Sequence, residues 1–259
     1  MKAKVLSVYD EGSLVGTPLI GARGLSVLVD ADGERTLFDT GLRGNYLMHN
    51  MEHLSIDPDS VDRVVISHMH SSHIGGLSAF LEKREKTVNA IVTPDHASVR
   101  NERVIGIPVK RSGFPKMSAE LSKKMNTVAV SERTRLSDNL FITDISPEGG
   151  AIRENALVLM TKNGAALICG CCHRGVAAAM EHVEGETGKK VIAVIGGTHL
   201  TGMRKEEVYG TAEMLIGKGP PALYLNHCSG VTQKMRLREK MGLKAVSDFY
   251  AGTEIQFDL

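Results

Sequence analysis

Apolar and polar positions alternate from the first residues, and that alternation predicts most of the elements. "MKAKVLSVYDEG" carries a short apolar run that Asp10 and Glu11 break, and it predicts a first strand. In "LSVLVDADGERTLFDTG", Leu25 to Gly41, two apolar runs flank Asp32-Gly33, which predicts a hairpin. Leu47, Met51 and Leu54 recur at helical spacing in "RGNYLMHNMEHL". After the turn signal "DPDSVD", the β-branched run "RVVISH", Arg63 to His68, predicts a buried strand, and "GGLSAFLEK" predicts a helix. "NAIVTP", "NLFITDI", "NALVLMTKNGAALICG", "KKVIAVIGG" and "PALYLNHCSG" read as further strands, with Asn163-Gly164 as a second hairpin turn. Helices are predicted over 175–184, 205–216 and 231–241. Residues 96–135 are polar and mixed, and we read them as an insertion or lid. With no repeat or low-complexity linker in view, the expectation is one domain over 1–259, a layered sheet-containing fold with helices outside.

Composition narrows the classes. The 259 residues are 42% hydrophobic and 24% charged, with a formal charge of +1. No global field draws the chain to nucleic acid or to a membrane surface. Aromatics make up 4% and tryptophan is absent, which argues against base-stacking platforms. No apolar run reaches the roughly 20 residues a membrane helix needs, and the first apolar run is too short for a signal peptide. Three of the four cysteines crowd into "CGCCH", with Cys228 the fourth. That is no disulfide framework, and it fits thiols in a reducing cytoplasm.

"SHMHSSHIGG", Ser67 to Gly76, places His68, His70 and His73 in a predicted strand-to-helix loop. A lone histidine is most simply a satisfied polar residue, but three together followed by Gly75-Gly76 point to a metal. His68 and His70 are two apart, so an extended segment points both the same way and they can chelate one ion. His73 lies past a bend and can face a second. His173, His199 and His227 also fall at or just after predicted strand ends, the expected topology for one site. Zinc takes such nitrogen ligands and needs three of them plus water for catalysis.

These residues resemble the metallo-β-lactamase fold family, whose signature is a strand ending in His-x-His-x-Asp-His before two glycines. "LFDTG" resembles the family as well. A narrower resemblance runs through "GLSVLVD", "LFDTG", "ENALVLMTKNG", "GCCHRGV", "IGGTHL" and "NHCSG". It is to proteins described as 7,8-dihydropterin-6-yl-methyl-4-(β-D-ribofuranosyl)aminobenzene 5'-phosphate synthase-like. That subgroup has Gly-Cys-Ser-His and His-Cys-Thr-Gly where this chain has Gly170-Cys171-Cys172-His173 and His227-Cys228-Ser229-Gly230.

The resemblance implies an α/β (α+β) fold, a four-layer αββα sandwich with the metal site at one edge. It implies His68, His70, His73, His173 and His227 as ligands of zinc or another divalent metal, and Asp39 as a brace behind the His loop. His199 is implied as a ligand or substrate contact, with His70 and His199 the residues on which catalysis would turn. Cys171 falls near the family's bridging carboxylate and stays open between ligand and buried apolar-like residue. Glu154, otherwise a surface residue before a strand, is a possible substitute ligand. Cys169 and Cys228 are expected to be packing. Arg174 is either a phosphate clamp or a solvated helix residue.

Position 72 departs from the family. Ser72 stands where aspartate would ligate a second metal, so one ion is expected and the second is in doubt. The implied activity is a metal-dependent enzyme on a phosphorylated or anionic small molecule, in the subgroup a transferase joining a pterin methyl diphosphate to an aminobenzene ribofuranosyl phosphate. A hydrolase of a phosphoester, thioester or lactone is the alternative. A non-catalytic binding protein with a degraded second metal site is the third reading. Oligomeric state is not legible.

Overall fold

The computed structural model describes residues 1–98, 101–104, 107–110, 113–150 and 152–259, with the backbone alone for 101–104 and 107–110. The chain divides into two compact units. One comprises Lys4–Ser131 and Tyr250–Ile255; the other comprises Met1–Ala3, Glu132–Phe249 and Gln256–Leu259.

The first sheet is built from β1 (Lys2–Tyr9), β2 (Ser26–Ala31), β3 (Glu34–Phe38), β4 (Arg63–Val65), β5 (Val88–Val92), β8 (Met125–Ala129) and β16 (Glu254–Asp258), in the order β16-β1-β2-β3-β4-β5-β8. β1 to β3 run antiparallel. From β3 through β4 and β5 to β8 the pairing is parallel. The β2–β3 turn is Asp32-Gly33, both residues at positive φ, the conformation that Asn/Asp-Gly hairpin turns require. Helices α1 (Gly44–His53), α2 (Ser71–Ile74), α3 (Leu77–Glu82) and α4 (Ala119–Ser122) belong to this unit. Leu47 and Met51 of α1, and Leu77, Phe80 and Leu81 of α3, pack with Leu37, Val64 and Val88 in one core. Each such side chain, fully buried, contributes roughly 1.5–3 kcal/mol.

The expected insertion over 96–135 falls in part on residues outside those described. Within it, β6 (Asn101–Val104) and β7 (Ile107–Lys110) pair as an antiparallel hairpin, and β8 joins the main sheet beside β5.

The second sheet comprises β9 (Thr134–Arg135), β10 (Leu140–Asp144), β11 (Asn155–Thr161), β12 (Gly164–Cys169), β13 (Val191–Gly196), β14 (Ala222–Leu225) and β15 (Val246–Asp248), in the order β15-β14-β13-β12-β11-β10-β9. β9 to β12 are antiparallel neighbours; β12 to β15 are parallel. The second hairpin turn sits one residue earlier than expected: Gly164 already pairs with Thr161, leaving Lys162-Asn163 as the turn. Helices α5 (Val176–Thr187), α6 (Lys205–Gly217) and α7 (Val231–Met241) contribute Met180, Val183, Val208, Leu215 and Leu237 to a core with Leu167, Val194 and Leu223. Two mixed sheets flanked by helices are the expected fold class. Among the described residues no helix is long and apolar enough to cross a membrane.

Candidate metal centre

Asp39 follows β3 directly, and its φ of 62° turns the side chain back toward the loop that leaves β4. Aspartate tolerates this left-handed conformation better than most residues. Its backbone N–H is held by the Val65 carbonyl at 2.8 Å. One carboxylate oxygen accepts the Ser67 N–H at 2.7 Å; the other accepts the Ser67 hydroxyl at 2.7 Å and His73 Nδ1 at 2.6 Å. Asp39 and His73 are both fully buried. A buried carboxylate against Nδ1 places the ring proton there and leaves Nε2 as the lone-pair nitrogen, the arrangement that orients metal-binding histidines.

His68 stands between its partners. Its Nδ1 is 2.9 Å from Ser67 Oγ and its Nε2 is 2.9 Å from His70 Nδ1. The His68 and His73 rings are 4.1 Å apart, the His68 and His70 rings 4.6 Å. Two metal–nitrogen bonds of about 2.0–2.1 Å set nitrogens about 3.3 Å apart in a tetrahedron. The His68–His70 pair is within a few tenths of an ångström of that spacing, so this donor set fits a divalent ion.

His70 is the N-cap of α2, and His73 lies inside that single helical turn. The Thr40 N–H and hydroxyl both donate to the His73 carbonyl, at 2.6 and 3.0 Å. The two glycines behind the motif have a steric reason. A Cβ on Gly76 would stand 2.1 Å from the Thr40 carbonyl oxygen, and one on Gly75 2.3 Å from that of Leu42. Ser72 is buried in the same turn, and its carbonyl accepts the Leu25 N–H at 3.1 Å.

In the other unit, the turn after β12 is organised by Glu154. The sequence suggested a surface residue or a substitute metal ligand; the structure corrects the first. Glu154 is fully buried. One oxygen accepts the N–H groups of Cys171 and Cys172, each at 2.8 Å. The other accepts the His173 N–H at 2.8 Å and His173 Nδ1 at 2.7 Å. Four donors meet the carboxylate's two oxygens, so it braces the turn and orients His173. Burial pushes the Glu154 carboxyl upward, but the His173 ring and the backbone N–H groups outweigh it and hold it below the usual carboxylate range.

Three non-glycine residues at the ends of β12, β13 and β14 are left-handed: Cys172, His199 and His227, with φ of 59°, 51° and 45°. Such positions cost about 1–3 kcal/mol each and cluster at functional sites. The β13 and β14 ends are tied together, since the Ser229 hydroxyl accepts both the N–H and the hydroxyl of Thr198, at 3.1 and 2.9 Å. His199 is exposed, and its ring lies 4.7 Å from that of His173. Cys228 Sγ, expected to be packing, accepts the His199 N–H at 3.2 Å. Burial would push the Cys228 thiol up, but hydrogen bonds with Cys171 and His199 and the neighbouring His227 bring it well below the ordinary thiol value. The same Cys228 contact raises His199, against its partial burial. Cys169 is core, as expected, its thiol raised by the Cys172 hydrogen bond and by burial.

Arg174 is adjacent to His173 in sequence, but its guanidinium turns to Glu148 at 3.6 Å and lines a groove with Glu181, Thr211 and Lys218. Glu148 is nearly fully exposed, so the pair is weak. The sequence did not single out Ser67, and it marked Cys228 only as packing, yet both touch candidate histidines. Each neighbours a candidate histidine at a strand end, and that adjacency was the available signal.

A model of the metallo-beta-lactamase superfamily matches residues 20–138. The chain is 23% identical, over an alignment of 284 positions, to the 7,8-dihydropterin-6-methyl-4-(beta-D-ribofuranosyl)-aminobenzene-5'-phosphate synthase of Methanocaldococcus jannaschii, covering 98% of this chain and 96% of that one. Among solved structures, a metal-dependent hydrolase of the beta-lactamase superfamily aligns with TM-score 0.80 at 23% identity over 98% of both chains. A diphosphatase from the PhnP family aligns with TM-score 0.60 at 15% identity, covering 99% of this chain and 98% of that one.

Proposed function

The chain has the metallo-β-lactamase fold, and from that premise we propose that it is a metal-dependent enzyme acting on a phosphorylated or otherwise anionic small molecule. The carrying observation is a pair of buried carboxylate–histidine contacts, Asp39 with His73 and Glu154 with His173, one in each unit. Each directs Nδ1 inward and makes Nε2 the donor nitrogen. A fold that only needed packing would have no reason to bury two such pairs, because a buried carboxylate costs several kcal/mol unless its hydrogen bonds are complete.

On this reading His68, His70 and His73 are donors to zinc or a similar divalent ion, and so are His173 and His227. A bound ion would supply charge neutralisation for a phosphate or diphosphate group. The chain's own residues fix tautomers and orient donors. His199, exposed at its strand end, serves as a metal ligand or as a substrate contact. The place of work is the reducing cytoplasm, in keeping with thiols kept reduced at 171 and 228. Similarity to the Methanocaldococcus jannaschii synthase supports a pterin-related transfer as the specific reaction. A hydrolase on a phosphoester, thioester or lactone is the second reading, favoured by the structural likeness to a metal-dependent hydrolase.

The test is a product assay on protein purified without chelator, with metal content measured in parallel. A pterin methyl diphosphate and an aminobenzene ribofuranosyl phosphate are supplied together and then singly. A joined product that disappears after chelation supports the transferase. Release of diphosphate or phosphate from one substrate alone supports the hydrolase. Stoichiometric absence of metal would overturn both.

A further inference from the structure

β12, β13 and β14 are adjacent and parallel, and their last paired residues, Cys169, Gly196 and Leu225, stand in register across the sheet. Cys171 lies two residues beyond the first of these. His199 and Cys228 each lie three beyond theirs. The register alone therefore delivers two thiols and an imidazole to one edge. Their donor atoms, two sulfurs and a ring nitrogen, all lie within 4.8 Å of one another.

We infer that Cys171, His199 and Cys228 form a sulfur-rich metal site for zinc or another thiophilic divalent ion, one that needs neither His68 nor His70. Zinc–sulfur bonds of about 2.3 Å and zinc–nitrogen bonds of about 2.0–2.1 Å set tetrahedral ligands roughly 3.5–3.8 Å apart. Small side-chain rotations bring this trio to that spacing, and His199 is exposed and able to move. Thiolates select zinc over magnesium or calcium, which prefer oxygen. In the binding step the two S–H groups release their protons to solvent, two metal–sulfur bonds and one metal–nitrogen bond form, and nothing is oxidised or reduced. Three protein ligands leave a fourth position for water or a substrate atom.

The surroundings are built for this approach. Cys228 Sγ already accepts the His199 N–H and donates to the Cys171 carbonyl at 3.7 Å. Gly197 makes room for it: a Cβ there would come within 2.7 Å of Cys228 Sγ and 2.2 Å of the Gly170 carbonyl oxygen. The site goes beyond the proposed function, because it stands on one unit and on no substrate.

The probe is cobalt(II) alone, titrated into the chain carrying His68→Ala and His70→Ala. The expected result is a sulfur-to-cobalt charge-transfer absorption that saturates at one equivalent and is displaced by zinc. Cys228→Ser and Cys171→Ser in that background should remove the band or weaken binding at least tenfold. His199→Ala changes an exposed side chain, so folding survives it, and it should also weaken binding at least tenfold. Gly197→Ala should do the same by displacing Cys228. A missing charge-transfer band, or a band and affinity unchanged by these variants, overturns the inference. The proposed enzyme activity is read separately: its loss in His68→Ala/His70→Ala with the band intact separates the two claims.

Discussion

His173 Nδ1 lies 2.7 Å from a Glu154 oxygen, and the same carboxylate accepts the N–H groups of Cys171, Cys172 and His173. One buried side chain thus holds both the backbone of the turn and the orientation of the histidine. Glu154→Ala would strand three backbone donors, each costing about 1–3 kcal/mol when buried and unsatisfied. The expected loss is roughly 3 kcal/mol or more, read from urea denaturation. Glu154→Gln keeps one acceptor oxygen and should fall between the two. An alanine variant as stable as wild type would show that the turn does not depend on this carboxylate.

Asp39→Asn keeps the shape of the side chain but replaces an acceptor oxygen with a donor amide opposite His73 or Ser67. The ring is then free to take the other tautomer. Metal affinity should fall about 10–100-fold, the usual effect of removing such a bracing carboxylate. Competition against a chromophoric chelator measures it, and an unaltered affinity would remove His73 from the ligand set.

Ser72→Asp tests the departure from the family pattern. The aspartate should raise metal stoichiometry in protein purified without chelator, and with it any phosphodiesterase-type side activity. Elemental analysis of both proteins decides it. Wild type already holding two tightly bound ions would mean that other donors replace the carboxylate.

His70→Ala removes a donor whose Nδ1 sits 2.9 Å from His68 Nε2. Turnover should be abolished while the melting temperature moves by a few degrees at most, because His70 caps a four-residue helical turn and lies outside the apolar core. His199→Ala should instead raise KM more than it lowers kcat. Full activity in His70→Ala would remove His70 from the residues on which catalysis turns.

Acid should weaken the β15–α7 contact. Burial pushes the Asp248 carboxyl up, but Lys234 at 2.5 Å and Arg238 at 3.0 Å outweigh it and lower its pKa. A depressed folded pKa means the stabilisation is complete above the unfolded value of about 3.9 and is lost as pH falls through the folded value. Asp248→Asn should therefore cost on the order of 1 kcal/mol near neutral pH, with the gap to wild type closing in strong acid. Denaturation at pH 7 and pH 2.5 checks this, and a gap that widened in acid would contradict it.

Local pattern was sufficient for most elements of this chain. The Asp32-Gly33 hairpin, the α1 spacing of Leu47 and Met51, and the strands running into the histidines are all written in alternation and turn chemistry, which act over a few residues. The motif His68-x-His70-x-x-His73 was legible because its ligands are neighbours in sequence. Tertiary structure decided what long-range contacts control. Glu154 looked like a surface residue because nothing near it in sequence shows the three N–H groups it meets 17 to 19 residues later. Cys228 looked like packing because its neighbours are Cys171 and His199, reached only when three parallel strands align their ends. Arg174 was open in the sequence between a phosphate clamp and a solvated helix residue, and its contact with the exposed Glu148 is set by the fold, not by adjacency to His173. Backbone preference is encoded locally, whereas the partner of a buried charge or thiol is set by strand register, which no short window of sequence contains.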